Sequence, residues 1–127
     1  MDDSIHYEGF PTAITETSEG DIENGVYDEY DVIYSPDGTR LLKLENKEMV
    51  HYEVKTGCKV ICDRAFYECS KLESVMLPAG LKHLSDYAFE ECENLQAIYV
   101  PASEVERYKR RLPEESDIIE PITDQQK

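Results

Sequence analysis

The sequence predicts an α+β solenoid: a right-handed β/α stack of short repeats, opened by a β-hairpin and closed by a capping helix. Three observations carry that expectation. The segment Gly57 to Pro78 recurs from Gly80 to Pro101 at a spacing of 23 residues, and a fixed period of this kind decides a whole architecture. Each copy ends in an alternating apolar run, Leu72-x-x-Val75-x-Leu77 and Leu95-x-x-Ile98-x-Val100, the pattern of a half-buried strand. A turn signal stands before the repeats and a helical pattern after them.

The repeats come first because everything else is placed relative to them. Nine of the 22 aligned positions are identical: Gly57/Gly80, Lys59/Lys82, Asp63/Asp86, Ala65/Ala88, Phe66/Phe89, Glu68/Glu91, Cys69/Cys92, Leu72/Leu95 and Pro78/Pro101. Ile61/Leu84, Val75/Ile98 and Leu77/Val100 exchange one aliphatic residue for another, as buried positions tolerate. Carrying the register backward sets Met49, Tyr52 and Val54 at the same strand positions, so a third, degenerate repeat is expected. It lacks the Ala-Phe pair, because Leu42 and Lys43 stand there instead. Period-two geometry turns Val75 and Leu77 into the stack and Ser74 and Met76 out of it. Between strands, Asp63 and Asp86 are expected to cap short helical turns that carry Phe66 and Phe89 inward. One such unit cannot cover its own apolar face, so each is stable only against its neighbours and the ends need caps.

The caps have their own signals. Asp37-Gly38 between Val32-Ile33-Tyr34 and Leu41-Leu42-Lys43-Leu44 reads as a hairpin, since Gly supplies the positive φ of a tight turn. Ser103 with Glu106 forms a capping-box pattern, and Val105, Tyr108 and Leu112 recur on one face until Pro113 ends the run, predicting a helix over 103–112. Ile118 to Ile122 reads as a last edge strand and Asp124 to Lys127 as a frayed tail. Residues 1–25 are acidic with sparse apolar residues, so loop or partial disorder is expected there. The organisation is thus an acidic segment 1–25, a hairpin cap 26–48, repeats 49–101 and a helical cap with tail 102–127.

The motif Asp63-x-Ala65-Phe66-x-x-Cys69-x-x-Leu72-x-x-Val75-x-Leu77-Pro78, with its copy ending at Pro101, resembles the BspA-type leucine-rich repeats. The resemblance covers residues 49–101 closely and the flanks more loosely. Val32 to Leu42 is also similar to the hairpin such proteins often place before a repeat run. The resemblance implies non-enzymatic adhesion or interaction modules, often at bacterial cell surfaces, with a protein partner. An intracellular structural or regulatory interaction domain is the alternative.

Charge narrows the partners. Thirteen Lys and Arg against 28 Asp and Glu give a net charge of −15, which opposes nucleic acid and anionic membrane surfaces. Ten acidic residues lie between Asp2 and Asp31, and no Lys or Arg occurs before Arg40. No apolar stretch is long enough to span a bilayer. The first residues lack the basic region and apolar core of a secretory signal, so the chain as it stands is expected to be soluble and unexported. A leader removed upstream of Met1 leaves the same sequence.

Candidate chemistry is weak. The spacing Cys58-x3-Cys62-x6-Cys69-x22-Cys92 matches no common zinc pattern. Cys69 and Cys92 occupy equivalent core positions and Cys58 aligns with Leu81, so these three are expected to pack as small apolar fillers. Cys62 aligns with Ser85 and is expected to be the exposed, oxidisable one. A Cys69–Cys92 disulfide is open in an oxidising environment. His6, His51 and His83 are far apart with no nucleophile motif, and both His51 and His83 are expected to be solvated. Asp21-Ile22-Glu23-Asn24-Gly25 with Asp28, Glu29 and Asp31 invites a calcium reading. Its Gly comes one position too early for an EF-hand, which favours a solvated acidic segment. No catalytic residue, metal ligand or cofactor is assigned. Surface recognition remains: the outward residues of successive strands form two rows, His51, Ser74 and Ala97, and Glu53, Met76 and Tyr99, with the thioether–Tyr pair Met76 and Tyr99 the most favourable for contact.

Overall fold

The computed structural model describes residues 15–123. Its strands are β1 (Val26–Tyr27), β2 (Val32–Tyr34), β3 (Arg40–Leu44), β4 (His51–Glu53), β5 (Val60–Ile61), β6 (Ser74–Met76), β7 (His83–Leu84), β8 (Ala97–Val100) and β9 (Ile119–Pro121). Helix α1 covers Glu19–Glu23 and α2 covers Val105–Arg111, with 3-10 turns at Ala102–Glu104 and Pro113–Ile118. The strands form two sheets, β1-β2-β3-β5-β7 and β4-β6-β8-β9.

The 23-residue period is visible directly in the pairing. In the second sheet, β4, β6 and β8 run parallel with His51 opposite Ser74 opposite Ala97, and Glu53 opposite Met76 opposite Tyr99. In the first, β5 and β7 pair parallel with Val60 opposite His83. The turns between the sheets stack as well. Arg64, Phe66 and Glu68 donate their N–H groups to the carbonyls of Tyr87, Ala88 and Glu90, at 3.2, 2.9 and 3.0 Å. Each repeat therefore offers backbone groups on three sides that only the next repeat can satisfy.

The core lies between the sheets. Tyr52, Val75 and Ile98 point inward at the middle of β4, β6 and β8, and Phe66 and Phe89 meet them from the turns. The two Phe rings stack with centroids 5.1 Å apart and planes at 8°, and Tyr52 tilts onto Phe66 at 6.5 Å.

The hairpin forms at the expected turn. Ser35 O accepts from Gly38 N at 2.8 Å, and Gly38 takes φ +78°. Asp37 closes the loop by accepting from the Ser35 hydroxyl at 2.7 Å and from the Thr39 amide and hydroxyl at 3.1 and 2.8 Å. Those bonds to its charged form hold its pKa down at about 2. The hairpin does more than cover an edge, because β3 pairs parallel with β5, Arg40 opposite Val60, and so serves as the first strand of a sheet that the repeats extend. The β5 and β7 strands of that first sheet have no counterpart in the sequence reading, since two-residue strands carry no detectable alternation.

Four local expectations are corrected. Residues 63–68 are non-helical turns with Arg64 and Glu68 at φ +57° and +56°. Accordingly the Asp63 carboxylate accepts from the Ser85 hydroxyl and Asp86 pairs with Arg111 at 3.0 Å, in place of the expected helix caps. The Ser103–Glu106 capping box is also absent: Ser103 is held within the 3-10 turn that follows Pro101, and α2 begins after Glu104 without a side-chain cap. A capping box occurs instead at α1, where Ser18 and Asp21 exchange bonds of 3.0 Å. Within the acidic segment expected to be loop, Glu19–Glu23 is therefore helical; residues 1–14 lie outside the described residues. Strand β9 extends the second sheet, with Ile119 opposite Ile98, and the tail at 124–127 lies outside the described residues.

Candidate functional site

The six residues singled out for recognition lie together on one face. His51 and Glu53 are exposed on β4, whereas Ser74, Met76, Ala97 and Tyr99 are half-buried on β6 and β8. Partial burial follows from the register, because each side chain packs against its row neighbours about 4.8 Å away along the hydrogen-bonding direction. His51 Nδ1 and the Ser74 hydroxyl share a hydrogen bond of 2.5 Å. Ala97, with no polar atom, leaves a step beside them.

This face is concave at its β4 end. A groove of about 580 Å³ is lined by His51, Glu53, Ser74, Met76 and Tyr99 together with Tyr30, Met49, Lys55 and Thr56. The latter four were not singled out from the sequence, since none occupies an outward strand position of the repeat. Tyr30 belongs to the loop before β2, and its position depends on a buried polar relay. Asp28 accepts from the amides of Tyr30 and Val32 at 2.8 and 2.9 Å and from the Tyr52 hydroxyl at 2.7 Å. Tyr52 in turn shares a hydrogen bond of 2.6 Å with the Tyr34 hydroxyl, which accepts from Lys55 N at 3.1 Å. Burial pushes the Tyr34 hydroxyl up to about 12; burial and its bonds to Tyr34 and Asp28 push Tyr52 well above the ordinary range. Both rings are therefore neutral at physiological pH. Tyr30 stands edge-on to Tyr52 at 6.2 Å and is 53% exposed, forming the N-terminal wall of the groove.

The thiols are all free. Cys58 and Cys69 are buried as the repeat register implies. Cys92, expected in the core, is only half-buried and donates to Phe66 O at 2.9 Å. The neighbouring Cys92 draws the Cys69 thiol below its ordinary range, while Cys69 and burial raise that of Cys92. The expectation for Cys62 is overturned: it is fully buried. Ile33, Leu42, Val60 and Cys62 form a small second core on the outer face of the first sheet, with Ile22 of α1 packed against them. The aligned Ser85 is itself 3% exposed, so this position is covered in both repeats. Burial pushes Cys58 up to about 11 and Cys62 upward as well.

His83, expected to be solvated, is likewise corrected to a half-buried place on β7, where burial and the nearby Lys82 and Arg111 lower its pKa. His6 lies outside the described residues. Of the acidic run, Asp21 caps α1 and lies 3.6 Å from Arg40, while Asp28 organises the Tyr relay. Among the described residues no group of three or more His, Cys, Asp or Glu converges to hold a metal ion.

Stacked repeats of this period, with a paired row of outward residues on one face, are the arrangement of a leucine-rich-repeat protein. The chain matches the family model described as BspA type leucine rich repeat region (6 copies) over residues 44–117, more than half of its length, and it belongs to that family. Comparisons with curated proteins and with solved structures gave no match. Among the described residues no helix is long and apolar enough to cross a membrane.

Proposed function

We propose that the chain is a non-enzymatic protein-binding module, a short solenoid whose recognition surface is the outward face of β4, β6 and β8. Membership in a repeat family whose members generally mediate protein interactions supports the class. One observation carries the choice of surface: the register sets Glu53, Met76 and Tyr99 side by side, and a groove of about 580 Å³ opens over them. The groove combines the thioethers of Met49 and Met76, the rings of Tyr30, Tyr52 and Tyr99 and both signs of charge, a composition suited to a protein segment.

The test is selection of binders from a displayed peptide library on the folded chain, followed by measurement on a Met76→Asp, Tyr99→Asp variant. Both side chains are half-buried on the outward face, so the variant is expected to keep its fold by circular dichroism and to lose binding by about two orders of magnitude or more. Undiminished binding by a folded variant excludes this face.

Two settings divide the reading. The family resemblance supports surface adhesion, while four free thiols, two of them in contact, fit a reducing intracellular setting. Whether Cys69 and Cys92 are oxidised in protein isolated from its source, read by mass spectrometry after alkylation, separates the two.

A further inference from the structure

A second cleft lies at the other sheet, between β7 and α2, and shares no residue with the recognition groove. It encloses about 300 Å³. Leu81, Leu84 and the ring of Tyr108 supply its apolar lining. Its remaining lining residues are Lys82, His83, Arg107, Arg110 and Arg111, with no Asp or Glu among them. Four of the chain's 13 Lys and Arg thus converge on one cleft in a protein with 28 acidic residues.

The cations divide into two kinds. Arg107 and Arg111 are structural clamps: they donate to Leu81 O at 2.8 Å and Leu84 O at 2.6 Å, tying α2 to the edge of β7, and pair outward with Glu104 and Asp86, both at 3.0 Å. Lys82 and Arg110 are exposed and, among the described residues, have no ion-pair partner. The positive field of this cleft reaches His83, whose protonation is disfavoured by burial first and then by Lys82 and Arg111. A low-dielectric wall beside uncompensated cations strengthens attraction for an anion.

We propose that this cleft binds a small organic carboxylate with an apolar body, such as a short aliphatic acid. Lys82 and Arg110 face the carboxylate, and Leu81, Leu84 and Tyr108 cover the hydrocarbon. The volume sits at the small end of ligand sites, which favours a free small molecule over a peptide segment. Arg110 also lies in the last turn of α2, where a cation complements the helix dipole. That role needs neither Lys82 nor an apolar wall, and the experiment separates the two.

The experiment is a titration of the full chain with hexanoate, followed by amide chemical shifts. Saturable shifts are expected at Leu81 to Leu84 and Arg107 to Arg111, with hexanol and acetate each binding about tenfold or more weakly. A Lys82→Gln, Arg110→Gln variant, both changes being on exposed side chains, should stay folded with a melting midpoint within a few degrees of the parent and bind hexanoate about tenfold more weakly. Bound hexanoate should also raise the His83 titration midpoint, because an anion added among Lys82, Arg107, Arg110 and Arg111 favours the imidazolium. Hexanol binding as tightly as hexanoate overturns the anionic requirement, and acetate binding as tightly overturns the apolar one. Absence of saturable shifts, or an unaffected double variant, overturns the site.

Discussion

Phe66 and Cys62 illustrate how far a residue's role follows from its place in the repeat. Phe66 is fully buried and stacked on Phe89, and the identity of the two copies already marked both as core. Phe66→Ala is expected to cost about 3 to 5 kcal/mol by opening a cavity that rigid neighbouring repeats cannot close; an unchanged denaturation midpoint argues against this packing. Cys62 shows the opposite. Its exposure depends on α1, which the repeat register does not contain. With Cys58 and Cys62 both buried and their thiols pushed above the ordinary range, neither forms thiolate readily at pH 8. Both are expected to resist a thiol-reactive dye in native buffer and to react at once in guanidinium. Labelling of Cys62 at the rate of a free thiol in the folded chain contradicts its burial under α1.

At the scale of elements, the strands and the hairpin turn were legible and the turns and helix starts were less so. Alternating apolar residues report a strand because one face must be buried. A cap depends instead on where neighbouring chain directs the backbone. Ser103 carries the right side chain for a cap, yet Pro101 and the 3-10 turn displace the helix start beyond it. Asp63 and Asp86 carry equally suitable side chains but satisfy partners elsewhere, Ser85 on the next repeat and Arg111 on α2. Helix α1 depends on close approach to the hairpin at Gly25, where an added Cβ meets Ile33 Cγ2 at 2.3 Å and Tyr34 O at 3.1 Å. Gly25→Ala is therefore expected to destabilise by about 1 to 3 kcal/mol through overpacking. Hydrogen exchange should show α1 opening first, and a variant as protected as the parent speaks against that contact.

For the whole molecule, stability comes from neighbours, so the ends matter as much as the repeats. Tyr108, Leu112 and Ile119, all buried in the main core, come from α2 and its surroundings beyond Pro101. Truncation after Pro101 exposes the last repeat's apolar face and removes the partner of β8. The shortened chain is expected to lose its cooperative thermal transition and bind a hydrophobic dye. A sharp transition at the parent midpoint shows that the final repeat closes the stack unaided.

By itself the sequence determined the 23-residue period, the strand faces, the hairpin turn and the two outward rows, because each is a local pattern repeated in register. Those rows include the Met76 and Tyr99 pair but not Tyr30, which reaches the groove through Asp28 and two buried Tyr hydroxyls. Tertiary structure alone decided the extension of the first sheet through β5 and β7, the burial of Cys62 and half-burial of His83, and the basic cleft between β7 and α2. Each of these joins residues from different repeats or from outside them. Their placement follows from backbone groups and apolar surface that only distant segments can satisfy.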